Sequence, residues 1–206
     1  MAITLEEGRL AFTFDSDAIK FDDEQGYYGK YFKKLQGGKG VDFIAFSSDA
    51  IQLIEVKDCR GQEKENLWRT VTGNSCIPKR VSGQNETDRD SLDVEVAKKV
   101  ASTIACLYGA WTMEPRRHVL ASSLVTVGMR MNDKRMQIPS NPPLLRIVLF
   151  LEGDFDFPQS RSKESIMQSL QESIQKQLFW LNCAVFVTDS DHCGMSANMG
   201  FTVVAT

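Results

Sequence analysis

The stretch that decides the fold is Val41-Asp42-Phe43-Ile44-Ala45-Phe46, which is followed after a short turn by Ile51-Gln52-Leu53-Ile54-Glu55-Val56-Lys57. Both runs are rich in β-branched and aromatic residues, and each has the length of a strand. The connection, Ser47-Ser48-Asp49-Ala50, is polar and contains residues that favour turns. We therefore expect an antiparallel β-hairpin within a mixed sheet.

The second run of this hairpin carries two charges on an otherwise apolar face. Side chains alternate along a strand, so Ile51, Leu53, Glu55 and Lys57 share one face. When the residues next to the turn pair with each other, the resulting register sets Asp42 opposite Glu55. Opposed carboxylates repel each other and are costly to bury, so the pattern predicts a compensating cation.

Magnesium is the cation that this donor set favours. Mg²⁺ prefers oxygen ligands and commonly takes one or two protein carboxylates together with waters and substrate phosphate. Asp42 and Glu55 are therefore predicted to bind Mg²⁺ or Mn²⁺. Lys57 lies two residues beyond Glu55 on the same face, where its ammonium would balance charge that develops on a phosphate.

A long amphipathic helix is predicted over residues 93–108. Its apolar residues recur at helical spacing and form one stripe, and we expect Glu95, Lys98 and Lys99 on the opposite side. Gly109 is expected to end the helix.

The other predicted elements are an amino-terminal helix, a carboxyl-terminal helix and several strands. Residues 25–35 have a helical aromatic stripe, and Glu24 lies one turn before Tyr28 on that stripe. A second long helix is predicted over residues 163–181, with Ser160 or Ser162 as its cap. Further strands are predicted at residues 9–14, 119–127, 144–151, 184–188 and 201–205, and a long polar loop at residues 59–91.

Composition bounds the function classes. The 206 residues are 42% hydrophobic and 25% charged, and no repeat or linker interrupts them, so a single α/β domain over residues 1–206 is expected. A formal net charge of −3 argues against broad coating of nucleic acid, so a polyanion site would be local. The five cysteines form no CxxC pair and are expected to be free thiols. Because no signal peptide or membrane-length apolar run is seen, we expect a cytoplasmic protein with no membrane partner.

The order of these residues resembles the PD-(D/E)XK nuclease superfamily. Asp42, and Glu55-Val56-Lys57 after twelve intervening residues, stand on a hairpin between an amino-terminal helix and the helix at 93–108. The proline that often precedes the aspartate is replaced by Val41. The resemblance covers residues 22–108 and implies a restriction-endonuclease-like α/β fold, a three-layer core with a central mixed β-sheet flanked by helices.

The same resemblance implies a function and a set of site residues. Asp42 and Glu55 would bind Mg²⁺ (or Mn²⁺), Lys57 would assist hydrolysis of a phosphodiester, and Glu24 would be the helix carboxylate that joins the metal ligands. Asp22 or Asp23 remains an alternative for the role of Glu24. The expected protein is a magnesium-dependent nuclease with a DNA or RNA partner, and the pattern indicates no oligomeric state.

Three alternatives accompany this hypothesis. In the first, the protein retains the fold but is a catalytically inactive binding or assembly module. The second is an unrelated α/β interaction protein with Asp42, Glu55 and Lys57 apart. In the third, Glu55 and Lys57 form a salt bridge on an edge strand and Asp42 starts an ordinary turn. His192, beside Cys193, is expected in a loop without a metal.

Overall fold

The computed structural model describes residues 2–23, 26–46, 50–73, 90–117, 145–156, 161–193 and 199–206. Within these ranges the strands are β1 (Ile3–Glu7), β2 (Leu10–Phe14), β3 (Ala18–Lys20), β4 (Phe43–Phe46), β5 (Ile51–Asp58), β6 (Leu145–Glu152), β7 (Cys183–Thr188) and β8 (Phe201–Ala205). The helices are α1 (Tyr27–Lys30), α2 (Glu63–Asn66), α3 (Leu92–Arg117), α4 (Lys163–Gln177) and α5 (Ser190–Cys193), with 3₁₀ turns at Phe32–Lys34 and Leu67–Thr70.

The described strands form two sheets. The larger one has the order β3-β4-β5-β6-β7, in which β3, β4 and β5 are antiparallel neighbours while β5, β6 and β7 run parallel. The smaller one is antiparallel, with the order β1-β2-β8. The protein is therefore a mixed α/β structure, and the mixed sheet expected from the sequence is confirmed.

The larger sheet lies between the two long helices and the smaller sheet. Leu53 and Ile147 belong to a core cluster that includes Val100 of α3 and Leu170 of α4. On the opposite face, Ile54 belongs to a second cluster with aromatic residues of β2 and β8. Both long helices, α3 and α4, thus cover the same face of the central sheet, while Cys193 of the short α5 belongs to the cluster on the other face. Apolar side chains at alternate positions of β2, Leu10, Phe12 and Phe14, give the smaller sheet a buried face that covers the other side.

The predicted hairpin is confirmed in both its strands and its register. Phe46 pairs with Ile51, and Ile44 pairs with Leu53, in an antiparallel ladder between β4 and β5. The alternation of the two faces also holds, because Ile51 and Leu53 contact the helix-side core while Ile54 contacts the smaller sheet. Asp42 precedes β4 by one residue and therefore reaches the level of Glu55.

Helix α3 packs on this hairpin as expected but is longer than predicted. The backbone amide of Val41 donates to Oγ1 of Thr103 at 3.0 Å, which fastens the helix to the start of the hairpin. The expected end at Gly109 is wrong, since α3 continues to Arg117. An interior glycine costs about 1 kcal/mol relative to alanine, and burial of the neighbouring Cys106, Leu107 and Ala110 offsets that cost.

The amino-terminal helix predicted over residues 25–35 is wrong in its extent. A single turn, Tyr27–Lys30, is followed by the 3₁₀ turn Phe32–Lys34. Gly26 occupies the position before the helix and Gly29 lies inside it, and glycine disfavours helix because it loses the most backbone freedom on ordering. Glu24 lies outside the described residues.

Most of the remaining predicted elements are confirmed within the described residues, although α4 ends at Gln177 and not at the predicted Leu181. Helix α4 begins after Ser162, whose hydroxyl accepts a hydrogen bond from the amide of Ser165 at 3.3 Å, so this cap is confirmed. Strands β2, β6, β7 and β8 fall on predicted segments, whereas β1 and β3 were not predicted. The predicted strand at 119–127 lies outside the described residues, and the expected loop at 59–91 contains α2 and the 3₁₀ turn Leu67–Thr70.

The described cysteines are free, as their spacing predicts, and all of these are buried; they are Cys59, Cys106, Cys183 and Cys193. None of the described helices combines the length and the apolar character needed to cross a bilayer.

Candidate functional site

Asp42, Glu55 and Lys57 come together on the helix-side face of the central sheet. Strand β5 carries Glu55 and Lys57 in its second half and faces α3 there. Regular pairing of β4 with β5 ends at Phe43, and beyond that point the amide of Val56 donates to Oδ2 of Asp42 at 2.6 Å. The Asp42 side chain therefore replaces a strand partner, which fixes its carboxylate beside Glu55.

Complete burial of the Glu55 carboxylate is the energetically costliest feature of the site. Its side chain is 0% exposed, and its carboxylate is surrounded by the sheet and α3. Oxygen Oε1 forms ion pairs with both nearby ammonium groups, at 2.7 Å from Lys57 Nζ and 2.6 Å from Lys99 Nζ. Oxygen Oε2 is buried and accepts no hydrogen bond from the described residues. One oxygen of Glu55 thus remains available to a further ligand.

Two residues of α3 complete the ion pairs. Lys99 also approaches Oδ1 of Asp42 at 3.4 Å, so its ammonium lies between the two carboxylates. Lys57 makes a second contact at 3.0 Å with Oε1 of Glu95, and the other oxygen of Glu95 accepts from the guanidinium of Arg69. Six charged groups consequently alternate in sign along one buried path, and they are, in order, Asp42, Lys99, Glu55, Lys57, Glu95 and Arg69.

The sequence pattern predicts the wrong side of α3 for two residues of this path. Glu95 and Lys99 were expected opposite the apolar stripe, but both face β5. They occupy positions i and i+4 and so lie one turn apart on one side of the helix. The signal that would have found them is this spacing at the margin of the stripe, opposite the charged half of β5. Lys98 does point outward, where it pairs with Asp90 and its side chain is 59% exposed.

The site lies on an interior strand, which contradicts the edge-strand alternative. Glu55 and Lys57 do form a salt bridge, but β5 is the middle strand of the five. The separation of Asp42, Glu55 and Lys57 expected under the interaction-protein alternative is likewise wrong, because Lys57 contacts Glu55 and Lys99 connects Glu55 to Asp42.

Burial and the neighbouring charges shift the pKa values of the groups along this path. Burial raises the pKa of Glu55 to about 7, with a further contribution from Asp42 and against the attraction of Lys57 and Lys99. Burial alone would lower the pKa of Lys57, but Glu55 and Glu95 hold it above its ordinary value. Burial would raise the pKa of Glu95, but Lys57 and Arg69 lower it. Burial would also lower the pKa of Lys99, but Glu55 and Asp42 raise it, so both lysines stay protonated.

A further carboxylate reaches the site from β3. The amide of Phe21 donates to the carbonyl of Asp42 at 2.8 Å, so the chain after β3 runs beside the start of the hairpin. Oxygen Oδ1 of Asp22, the next residue, is buried and accepts no hydrogen bond from the described residues. Burial and then the charge of Asp42 raise the pKa of Asp22. Asp22 is thus the acidic residue that the described structure places near the hairpin, while the role expected of Glu24 stays a prediction.

The donor set fits a magnesium ion in its chemistry. Asp42 and Glu55 present carboxylate oxygens to a single cationic group, the ammonium of Lys99. Oε2 of Glu55 and Oδ1 of Asp22 are buried oxygens that lack a hydrogen-bond donor among the described residues. Over those same parts of the chain, no three His, Cys, Asp or Glu side chains form a ready cluster for a metal. Water and substrate oxygens would have to supply the other ligands, as is usual for Mg²⁺.

A second group of charged residues lies at the carboxyl end of β7. Asp189 is fully buried, and its oxygens contact Nζ of Lys163 at 2.5 Å and Nδ1 of His192 at 2.6 Å. The amide of His192 also donates to Asp189, which therefore caps α5. The loop position expected for His192 is wrong, since it belongs to this short helix. The arrangement fastens α4 and α5 to the end of the sheet.

Comparison with known proteins gives one family. A family model described as "Family of unknown function (DUF6661)" matches residues 25–199. Neither the curated proteins nor the solved structures contain a match to the chain.

Proposed function

The chain belongs to the DUF6661 family, whose function is unknown, and we propose from its site that it is a magnesium-dependent nuclease acting on phosphodiester bonds of DNA or RNA. The observation that carries the proposal is the convergence of Asp42, Glu55 and Lys57 on one buried point between β5 and α3. This is the residue set that the resemblance to the PD-(D/E)XK superfamily selects, and its hairpin has the register that the resemblance requires. A restriction-endonuclease-like core is part of the same proposal.

The proposed roles follow from the contacts. Asp42 and Glu55 would hold the metal, because their carboxylates already approach one shared cation. Asp22 would contribute through its buried oxygen, either directly or through water. Lys57 would face the scissile phosphate and stabilise the negative charge that builds up there, since a positioned cation acts most strongly where charge develops.

Glu95 and Arg69 support these roles. Glu95 contacts Lys57 at 3.0 Å and would hold its ammonium in place, while Arg69 neutralises Glu95 from its other side. Bound Mg²⁺ would supply the charge that polarises the phosphate and acidifies the attacking water. A partly buried, preorganised set of charges is what such a reaction uses, because the groups need little rearrangement as the barrier is crossed.

The proposal is tested by metal binding and cleavage together. Isothermal titration calorimetry with Mn²⁺ should show binding by the wild type and its loss in Asp42→Ala. Asp15→Ala is the matched control, because Asp15 is exposed in the turn after β2. Cleavage of single-stranded and duplex DNA and RNA should require Mg²⁺ or Mn²⁺. Equal Mn²⁺ binding by the wild type and Asp42→Ala would contradict the metal site.

A second candidate is a binding or assembly module that keeps the site without catalysis. The observation that favours it is the bridge from Lys99 to both Asp42 and Glu55, which already balances the two carboxylates. A structural salt-bridge network would look similar. Wild-type protein that binds Mn²⁺ but cleaves none of the four substrates would favour this candidate over the nuclease.

A further inference from the structure

Lys99 occupies the place where a cation would contact both proposed metal ligands. Its Nζ lies 2.6 Å from Oε1 of Glu55 and 3.4 Å from Oδ1 of Asp42. The Lys99 side chain is 12% exposed, and the Glu55 side chain is 0% exposed. The ammonium is therefore held inside the site rather than on the surface of α3.

The two lysines of the site differ in their partners. Lys57 bridges Glu55 and Glu95, whereas Lys99 bridges Glu55 and Asp42. Displacing Lys57 would leave Glu95 with Arg69 as its partner. Displacing Lys99 would leave Asp42 and Glu55 facing each other without the cation between them. Lys99 is thus the group whose charge a metal ion would replace.

We propose that Lys99 is an internal counter-cation that competes with the divalent metal for Asp42 and Glu55 and must leave them before the metal binds. This inference rests on the proposed function. A metal that Asp42 and Glu55 both coordinate at about 2.0–2.1 Å would lie close to the ammonium that bridges them, even through Oε2 of Glu55, so the two cations would repel each other strongly. The free protein consequently binds metal weakly, although its ligands are in place.

The displaced ammonium needs a new anion, and the substrate supplies it. Lys99 lies on the same side of α3 as Glu95 and faces the region where Lys57 would meet a phosphate. A phosphodiester arriving there attracts Lys99 and frees the carboxylates for the metal. Metal binding and phosphodiester binding therefore strengthen each other by the same factor, as linkage requires.

The inference is tested by measuring Mn²⁺ affinity in the absence of nucleic acid. Lys99→Met keeps an unbranched side chain of nearly the same length and removes its charge, and it should tighten Mn²⁺ binding by about 10-fold or more, because close charge pairs carry coupling energies of that size. Lys99→Arg should stay as weak as the wild type. Lys98→Met is the matched control, since Lys98 adjoins Lys99 but points outward to Asp90, and it should leave the affinity unchanged. Electron paramagnetic resonance of free Mn²⁺ gives the affinities directly.

Each outcome separates the two proposals. The wild type and Lys99→Met could bind Mn²⁺ equally, with Asp42→Ala abolishing the binding when it is introduced into either protein. That result would overturn the role of Lys99 and leave the metal site standing. If none of these folded proteins binds Mn²⁺, the metal site and the inference built on it are both overturned.

Should Lys99→Met fail to fold, the wild type provides the test through the ¹⁵N side-chain signals of its lysines. Addition of Mg²⁺ should shift the Lys99 ammonium signal while the Lys98 signal stays in place. Bound Mg²⁺ with an unshifted Lys99 signal would overturn the inference.

Discussion

Two carboxylates, Glu55 on β5 and Asp93 in the first turn of α3, are both fully buried, but the groups that contact them differ in charge. Among the described residues, Asp93 accepts from uncharged donors only, namely the Ser91 hydroxyl at 2.6 Å, the Gly73 amide at 2.9 Å, the Ser173 hydroxyl at 2.6 Å and the Gln177 amide at 2.7 Å. Glu55 contacts two ammonium groups through one oxygen and leaves the other oxygen without a donor among the described residues.

The difference distinguishes a carboxylate that joins parts of the fold from one that has an oxygen without a donor among the described residues. The four donors of Asp93 come from the start of α3, from α4 and from Gly73, so they join three parts of the chain through one side chain. A buried group satisfied in this way stabilises the fold and has little capacity for another ligand. Glu55 has one oxygen without a donor among the described residues, two ammonium groups on the other oxygen and a pKa raised to about 7, which are properties common at functional sites.

Removal of Glu55 should have the largest effect. Glu55→Ala is expected to abolish metal-dependent cleavage, because it removes a proposed metal ligand from the centre of the site. Asp93→Asn, which alters the structural carboxylate conservatively, should retain cleavage in the folded protein. The measurement is a cleavage assay paired with Mn²⁺ titration. Equal cleavage by Glu55→Ala and the wild type would remove the distinction between the two carboxylates.

Lys57→Ala should have the second-largest effect. It is expected to retain Mn²⁺ binding and to lower turnover by something on the order of 10², because the ammonium is needed mainly in the transition state. Single-turnover kinetics at saturating metal would separate this from a defect in metal binding. Turnover that survives the substitution would show that Lys57 serves the salt-bridge path and not the reaction.

Asp93→Ala should act on stability. Four donors lose their acceptor at once, so the free energy of unfolding should fall by about 3 kcal/mol. Urea denaturation would measure it, with Asp191→Ala as the control, since Asp191 is exposed and its loss should change stability by less than about 0.5 kcal/mol. A change as small as that of the control would mean that the Asp93 network contributes nothing.

The pH dependence of Glu55 should be the smallest of these effects. Its pKa is raised from 4.5 to about 7 on folding, so the folded state binds a proton more tightly than the unfolded state. The stability from this group is present below pH 4.5 and is lost as pH rises through about 7. Wild-type stability relative to Glu55→Gln should therefore fall by about 2 kcal/mol between pH 5 and 7. A constant difference across that range would show that Glu55 stays ionised.

Much of the hairpin followed from local patterns. The period of two in residues 51–57 places Glu55 and Lys57 on one face, and a short turn leaves few registers for the preceding strand, so Asp42 could be set opposite Glu55 in advance. The odd, scattered cysteines likewise predicted free thiols, and four of them are described as such. These features depend on neighbours within a few residues along the chain.

The features that could not be predicted from the sequence depend on how separate helices and strands pack against each other. The period of α3 showed an apolar stripe, but the rotation of the helix against β5 decided that Glu95 and Lys99 face inward. The approach of Asp22 to the hairpin required the short strand β3, which has no signal of its own. The sequence by itself therefore determined which residues share a strand face. The tertiary structure alone decided which charges neutralise one another, because that depends on distances between elements that no local period encodes.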